Sequence, residues 1–116
     1  MEPWLTILVE DADGVPHRFD VIVDTGFTGC LTLPEAVISR LGLIRQGVQP
    51  ATVASGEVDR FDYYEAKVRW HDEFRRVQVF ESIDQSLLGT ELLEGSRVTV
   101  NTWEGGDVII EEVSPA

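Results

Sequence analysis

Val21-Ile22-Val23 places β-branched apolar residues at three consecutive positions and runs straight into Asp24-Thr25-Gly26. A strand with one wet face alternates apolar and polar residues, whereas an unbroken apolar run asks for cover on both faces. The segment therefore predicts an interior strand that delivers a carboxylate into a tight Thr-Gly turn. It occurs once. At 116 residues and 43% hydrophobic, the chain suits one domain over residues 1–116, with nothing left for a second lobe. Any site built from two equivalent halves then needs two chains.

Charge narrows the partners. Against nine Lys and Arg stand 21 Asp and Glu, a formal net charge of -12, which repels phosphate backbones and anionic lipid surfaces. Nucleic acid and membrane are both excluded as expected partners. Cys30 is the one cysteine, which rules out an internal disulfide framework and fits a reducing, cytoplasmic compartment. The N-terminal Met1-Glu2-Pro3-Trp4 lacks a basic region followed by an apolar stretch, and no apolar run approaches a bilayer span, so the chain reads as soluble and complete.

The pattern predicts a mainly β chain. Trp4 to Glu10 and Arg18 to Val23 read as a hairpin around the turn Asp11-Ala12-Asp13-Gly14. After Leu31-Thr32-Leu33, Pro34 suits a first helical position, Ala36, Val37, Ile38 and Leu41 share an apolar face, and Gly42 ends the helix. Gln46 to Ala51 reads as Gly and Pro punctuation, followed by two strand ends around a mobile tip at Ser55-Gly56. From Tyr64 the alternation puts Tyr64, Ala66, Val68 and Trp70 inward, with Glu65, Lys67 and Arg69 in solvent. His71-Asp72-Glu73 turns the chain, and Val77 and Val79 return it. Lys67, Arg69, Arg75 and Arg76 concentrate on this hairpin, as a solvated face laddered with carboxylates or as a local positive patch. A helical turn at Glu91 to Glu94 and strands at Val98-Thr99-Val100 and Asp107 to Glu111, around Gly105-Gly106, complete the reading.

Several residues that resemble chemical groups have plainer roles. His17 and His71 sit in polar turns without a second metal-type ligand nearby, and Cys30 after a Gly reads as a small buried thiol. Asp11-Ala12-Asp13-Gly14 lacks the spacing and terminal Glu of a calcium loop. There is no Gly-x-Ser-x-Gly elbow and no Gly-rich phosphate loop.

The strand into Asp24-Thr25-Gly26, then Leu31-Thr32-Leu33-Pro34, then Leu87-Leu88-Gly89 with Glu91-Leu92-Leu93 behind it, form an ordered set. In that set the chain resembles the retropepsin-like aspartic proteases, specifically the small single-domain members found in prokaryotes. The resemblance spans roughly Leu5 to Val100. It implies an all-β fold, a small closed six-stranded β-barrel of the acid-protease type with one or two short helices, completed as a twofold homodimer. It also implies an aspartic endopeptidase acting on peptide or protein substrates without metal or organic cofactor. Asp24, Thr25 and Gly26 would be the catalytic triplet, and Phe27, Ser55, Gly56, Glu57, Leu88 and Gly89 the substrate-binding set, with Ser55-Gly56-Glu57 as the tip of a flap over an extended peptide. Two Asp24 carboxylates, one per subunit, would share one proton; the charged one takes a proton from a bridging water and the other polarises the scissile carbonyl. Family dimers use the chain termini, which points to Met1 to Leu5 and Val108-Ile109-Ile110, a strand that otherwise belongs to the barrel core.

Phe27 departs from the family, which usually carries a small residue after the triplet. Its ring either fills part of the cleft or points into the core beside the apolar run. The alternative function is a non-catalytic peptide-binding or assembly module on the same fold, with Phe27 or an incompatible dimer blocking hydrolysis.

Overall fold

A computed structural model describes residues 2–104 and 106–113. Met1 and Gly105, which the sequence reading places at an interface and in a turn, lie outside the described residues.

The chain is mostly strand. β1 (Trp4–Glu10) and β2 (Pro16–Val23) form the expected hairpin, with Trp4 opposite Ile22 and Glu10 opposite Pro16. β3 (Leu31–Pro34) leads into α1 (Glu35–Leu41). Pro34 caps the helix from outside rather than opening it, because its ψ of 153° keeps it in the extended conformation of β3. β4 (Arg45–Thr52), β5 (Val58–Trp70) and β6 (Glu73–Ser82) are consecutive antiparallel neighbours. β7 (Leu87–Leu88), α2 (Thr90–Leu93), β8 (Ser96–Val100) and β9 (Val108–Glu112) follow.

The segment expected as punctuation, Gln46 to Ala51, is strand instead. β4 pairs only with β5 and is an edge, so the missing N–H of Pro50 breaks no ladder on its outer side, and an irregularity between Arg45 and Gly47 absorbs the local kink. Edge position makes Gly and Pro tolerable where a central strand would exclude them.

The main sheet runs β1-β2-β7-β3-β6-β5-β4, and β1 also meets β5 at Val9 opposite Val68, so the strands from β1 round to β5 close into a ring. Both residues at the closure are fully buried. Within the ring, Ile7, Val21, Leu31, Leu33, Val79, Leu88 and Leu92 join them in one apolar core, capped by Ile38 and Leu41 of α1. Tyr64, Ala66, Val68 and Trp70 all point inward, as their alternation predicts. A second cluster, Phe27, Ala51 and Phe80, with Phe61, Tyr63 and Leu87 packed against it, sits between β4, β5 and the loop after β2.

On the outer face of β5 and β6, Lys67 lies directly opposite Arg76. Carboxylates temper this like-charged pair: Glu65 lies 3.6 Å from Arg76, Asp72 lies 3.8 Å from Arg69, and the Arg69 guanidinium sits 5.8 Å from the Phe74 ring centre. The hairpin is a solvated, laddered face. β8 and β9 form a separate two-stranded sheet. Val98, Val108 and Ile110 pack against the main core from it, while Ile109 on its other side is exposed, so the strand serves the core with one face only. Among the described residues no helix is long and apolar enough to cross a membrane.

Candidate functional site

β2 is interior, between β1 and β7, and Asp24 follows its last residue. Two groups position Asp24. Its N–H donates to the Leu88 carbonyl at 2.9 Å, and its Oδ1 accepts from the Gly26 N–H at 2.8 Å, the Asx-type bond that a Thr-Gly turn makes available. The carboxylate is half-buried and lines an open cleft of about 760 Å³.

The second motif locks the first from below. β7 runs parallel to β2, pairing Ile22 with Leu87 and Val23 with Leu88, and antiparallel to β3, pairing Leu31 with Leu88. Leu87-Leu88-Gly89 thus passes between the two arms of the loop that carries Asp24. Beyond it Gly89 N–H donates to the Cys30 carbonyl and Thr90 N–H to the Phe27 carbonyl, each at 2.9 Å. A Cβ on Gly89 would lie 2.2 Å from the Gly29 carbonyl oxygen and 2.6 Å from the Phe27 ring, so glycine is required by close approach. Leu88 is fully buried and Gly89 buried; both support the loop and neither lines the cleft.

Thr32 carries the brace that the sequence reading missed. It is the buried polar residue of the core at 2% exposure; its hydroxyl donates to the Gln85 carbonyl and accepts from Leu87 N–H, each at 2.9 Å. One hydroxyl therefore holds the segment entering β7. A threonine between two core leucines was the available signal, since a buried hydroxyl needs partners.

Phe27 is buried in the second, aromatic cluster, apart from the core around Val21 and Val23, and lines the back of the cleft. At 1% exposure its ring packs edge-on against Phe80 at 5.9 Å and Phe61 at 6.5 Å between centroids, while Phe61 and Phe80 stack at 5.4 Å. The aromatic cluster forms the wall behind the cleft. The two partner rings were hidden in sequence because they lie on strands far from residue 27.

The tip between β4 and β5 bends over the Asp24 loop. Ala54 is the neighbour that a Cβ on Gly26 would strike, with its Cα at 2.9 Å. At the base of the tip, Thr28 N–H donates to the Thr52 carbonyl at 3.2 Å and Thr52 N–H to the Thr28 hydroxyl at 3.0 Å. Ser55 lines the cleft with Val53 and Ala54, whereas Gly56, at φ 87° with open space around it, and Glu57 are exposed and outside its lining. Thr25 is exposed, in a shallow depression with Thr28 and Thr90 that runs to Ser96 and Val98 of β8.

The other titratable candidates are occupied elsewhere. His17 Nε2 lies 2.8 Å from Asp11 Oδ2, and this bond, with a second from the Val15 N–H, holds Asp11 below its ordinary 3.8. His71 Nε2 lies 2.7 Å from the Ser96 hydroxyl. Burial first, then nearby Glu91, push the Cys30 thiol from 9.0 up to about 11, which keeps it protonated and a poor nucleophile at neutral pH. Among the described residues no group of three or more His, Cys, Asp or Glu is placed to hold a metal ion.

Among the carboxylates lining the cleft, Asp24 is oriented by the Gly26 N–H, beside an apolar wall and on a loop anchored from beneath by Leu88. A carboxylate so held can accept or donate a proton; a second one held the same way would come from another copy of the loop. No protein-family model matches the chain, and no curated protein or solved structure matches it at a significant level.

Proposed function

We propose that the chain is a homodimeric aspartic endopeptidase whose site forms where two Asp24 loops meet, and that its strand ring is a barrel of the acid-protease, retropepsin-like type. The observation that carries this reading is the passage of Leu87-Leu88-Gly89 between the arms of the Asp24 loop, with the Leu88 carbonyl accepting from Asp24 N–H. That crossing fixes the carboxylate at the rim of a cleft while Thr25 and its surroundings stay exposed for a twin.

In the dimer the two Asp24 carboxylates share a proton across the twofold axis. The ionised one takes a proton from a water held between them as its oxygen attacks the scissile carbonyl; the protonated one donates to the carbonyl oxygen, and a proton then passes to the departing amine. Hydrolysis needs no further reactant. The Ala54-Ser55 tip covers an extended peptide, whose backbone pairs with the exposed edge of the flap. The Phe27 ring packs into the aromatic cluster and lines the same cleft as Asp24, so it contributes wall and does not cover the carboxylate, which removes one ground for the purely binding module. The reducing compartment suggested by a single cysteine makes the cytoplasm the proposed location.

Peptide cleavage by wild type and Asp24→Asn between about pH 4 and 7 tests the reading; the variant should lose at least about 100-fold in kcat. Equal activity in the variant, or a strictly monomeric active enzyme, overturns it.

A further inference from the structure

We infer that the cleft selects peptides bearing a lysine or arginine side chain beside apolar residues. The inference rests on reading the cleft as a peptide site and names the substrate class it takes. Besides Asp24, its lining holds four carboxylates from four separate segments: Glu35 opening α1, Asp59 on the flap arm of β5, Glu81 near the end of β6, and Asp84 in the loop before β7. Arg60 is the one cation in that lining.

None of these four carboxylates is in an ion pair among the described residues. Among the described residues, ion pairs to side-chain carboxylates engage Asp11, Asp62, Asp72 and Glu65, all outside the cleft lining. Glu81 is held in place, its Oε1 accepting from the Tyr64 hydroxyl at 2.8 Å, with its second oxygen left for another donor. Like charges lining one concave surface with an apolar wall give it a negative potential, which a cation relieves and an anion worsens. The wall supplied by Phe61 and Leu87 is partly buried apolar surface, suited to a neighbouring leucine or phenylalanine or to the methylene stem of lysine itself. Charge and wall together define a basic side chain flanked by apolar ones.

Arg60 makes the inference testable in both directions. It lies among the carboxylates and is in no ion pair among the described residues, so its removal should strengthen the preference, whereas removal of Glu35 and Asp84 should weaken it. The global charge of -12 also attracts cations, and a control with two acids removed elsewhere separates the two effects.

The test uses the full chain carrying Asp24→Asn, so that the probe is not consumed, at low ionic strength. Fluorescence anisotropy compares a labelled hexapeptide with one lysine between leucine and phenylalanine against its norleucine counterpart. The lysine peptide should bind about fivefold more tightly, the ratio falling towards one in Glu35→Gln/Asp84→Asn, rising in Arg60→Gln, and holding in Asp13→Asn/Glu112→Gln. Raising salt should shrink it. Equal binding of the two peptides, binding of neither, or an equal loss in the control variant overturns the inference. Turnover of the lysine peptide by wild type is scored separately: selective binding without cleavage sinks the endopeptidase reading and leaves the selectivity standing, while cleavage without selectivity does the reverse.

Discussion

Asp24 N–H donates to the carbonyl of Leu88 at 2.9 Å, and Leu88 itself pairs with Val23 on one side and Leu31 on the other. The residue proposed to carry the chemistry is thus placed by a two-residue strand remote in sequence, seated between the strands that flank the Asp24 loop. Precision at the carboxylate depends on how tightly that strand fits.

Gly89→Ala should unmake the fit. A methyl group there meets the Gly29 carbonyl oxygen at 2.2 Å and the Phe27 carbonyl oxygen at 2.7 Å, both backbone atoms that cannot step aside as a side chain can. The expected cost is about 3 kcal/mol or more, read as a large fall in thermal midpoint by circular dichroism. A variant melting with wild type would show that the loop and β7 are not in this contact.

Thr32→Val keeps the shape and removes both hydrogen bonds, leaving the Leu87 N–H and Gln85 carbonyl without their partner. Urea unfolding should show a loss of about 2 kcal/mol, and Thr32→Ser should recover most of it. On the proposed function, peptide cleavage should fall further than stability alone explains, because the segment entering β7 loosens beneath Asp24. Equal stability of the Val and wild-type chains contradicts the brace.

Alkaline pH should destabilise the fold through two buried groups. Burial and then Glu91 raise Cys30 from 9.0 to about 11, while burial and then the hydrogen bond to Glu81 raise Tyr64 from 10.0 to about 12. Both hold their protons more tightly when folded, so their contribution is complete below about pH 9 and is lost as pH rises, through 9 to 11 for Cys30 and 10 to 12 for Tyr64. Cys30→Ala and Tyr64→Phe should each flatten the fall of melting temperature above pH 9. An unchanged slope in both would remove these groups as its cause.

The proposed dimer would have to overcome repulsion between two chains of formal charge -12. Raised ionic strength screens it and mild acid neutralises carboxylates, so association should tighten under either condition. Sedimentation across a salt series at fixed pH, then a pH series at fixed salt, measures the shift. Association indifferent to both argues that the contact surfaces carry none of the acidic excess.

Local residue patterns revealed the strands. Tyr64, Ala66, Val68 and Trp70 alternate because one face of β5 is core and the other water, and that contrast is written residue by residue. Gln46 to Ala51 misled for a related reason: Gly47 and Pro50 break central strands, and only the knowledge that β4 is an edge makes them strand residues. At the candidate site the carboxylate and its glycine turn were legible, while Thr32, Phe61, Phe80 and Glu81 were not. Their roles arise from contacts across the sheet that leave no local spacing.

The sequence by itself determined an interior strand ending in Asp24, a mainly β chain, and a large acidic excess, because burial on both faces, alternation and charge count are properties of neighbouring residues. Tertiary structure alone decided that Phe27 joins an aromatic cluster behind the cleft, that Leu88 and Gly89 support the loop instead of lining the cleft, and that four distant carboxylates share its rim. Those outcomes depend on which remote segments the closing ring of strands brings together, and ring closure is a long-range choice that no local pattern encodes.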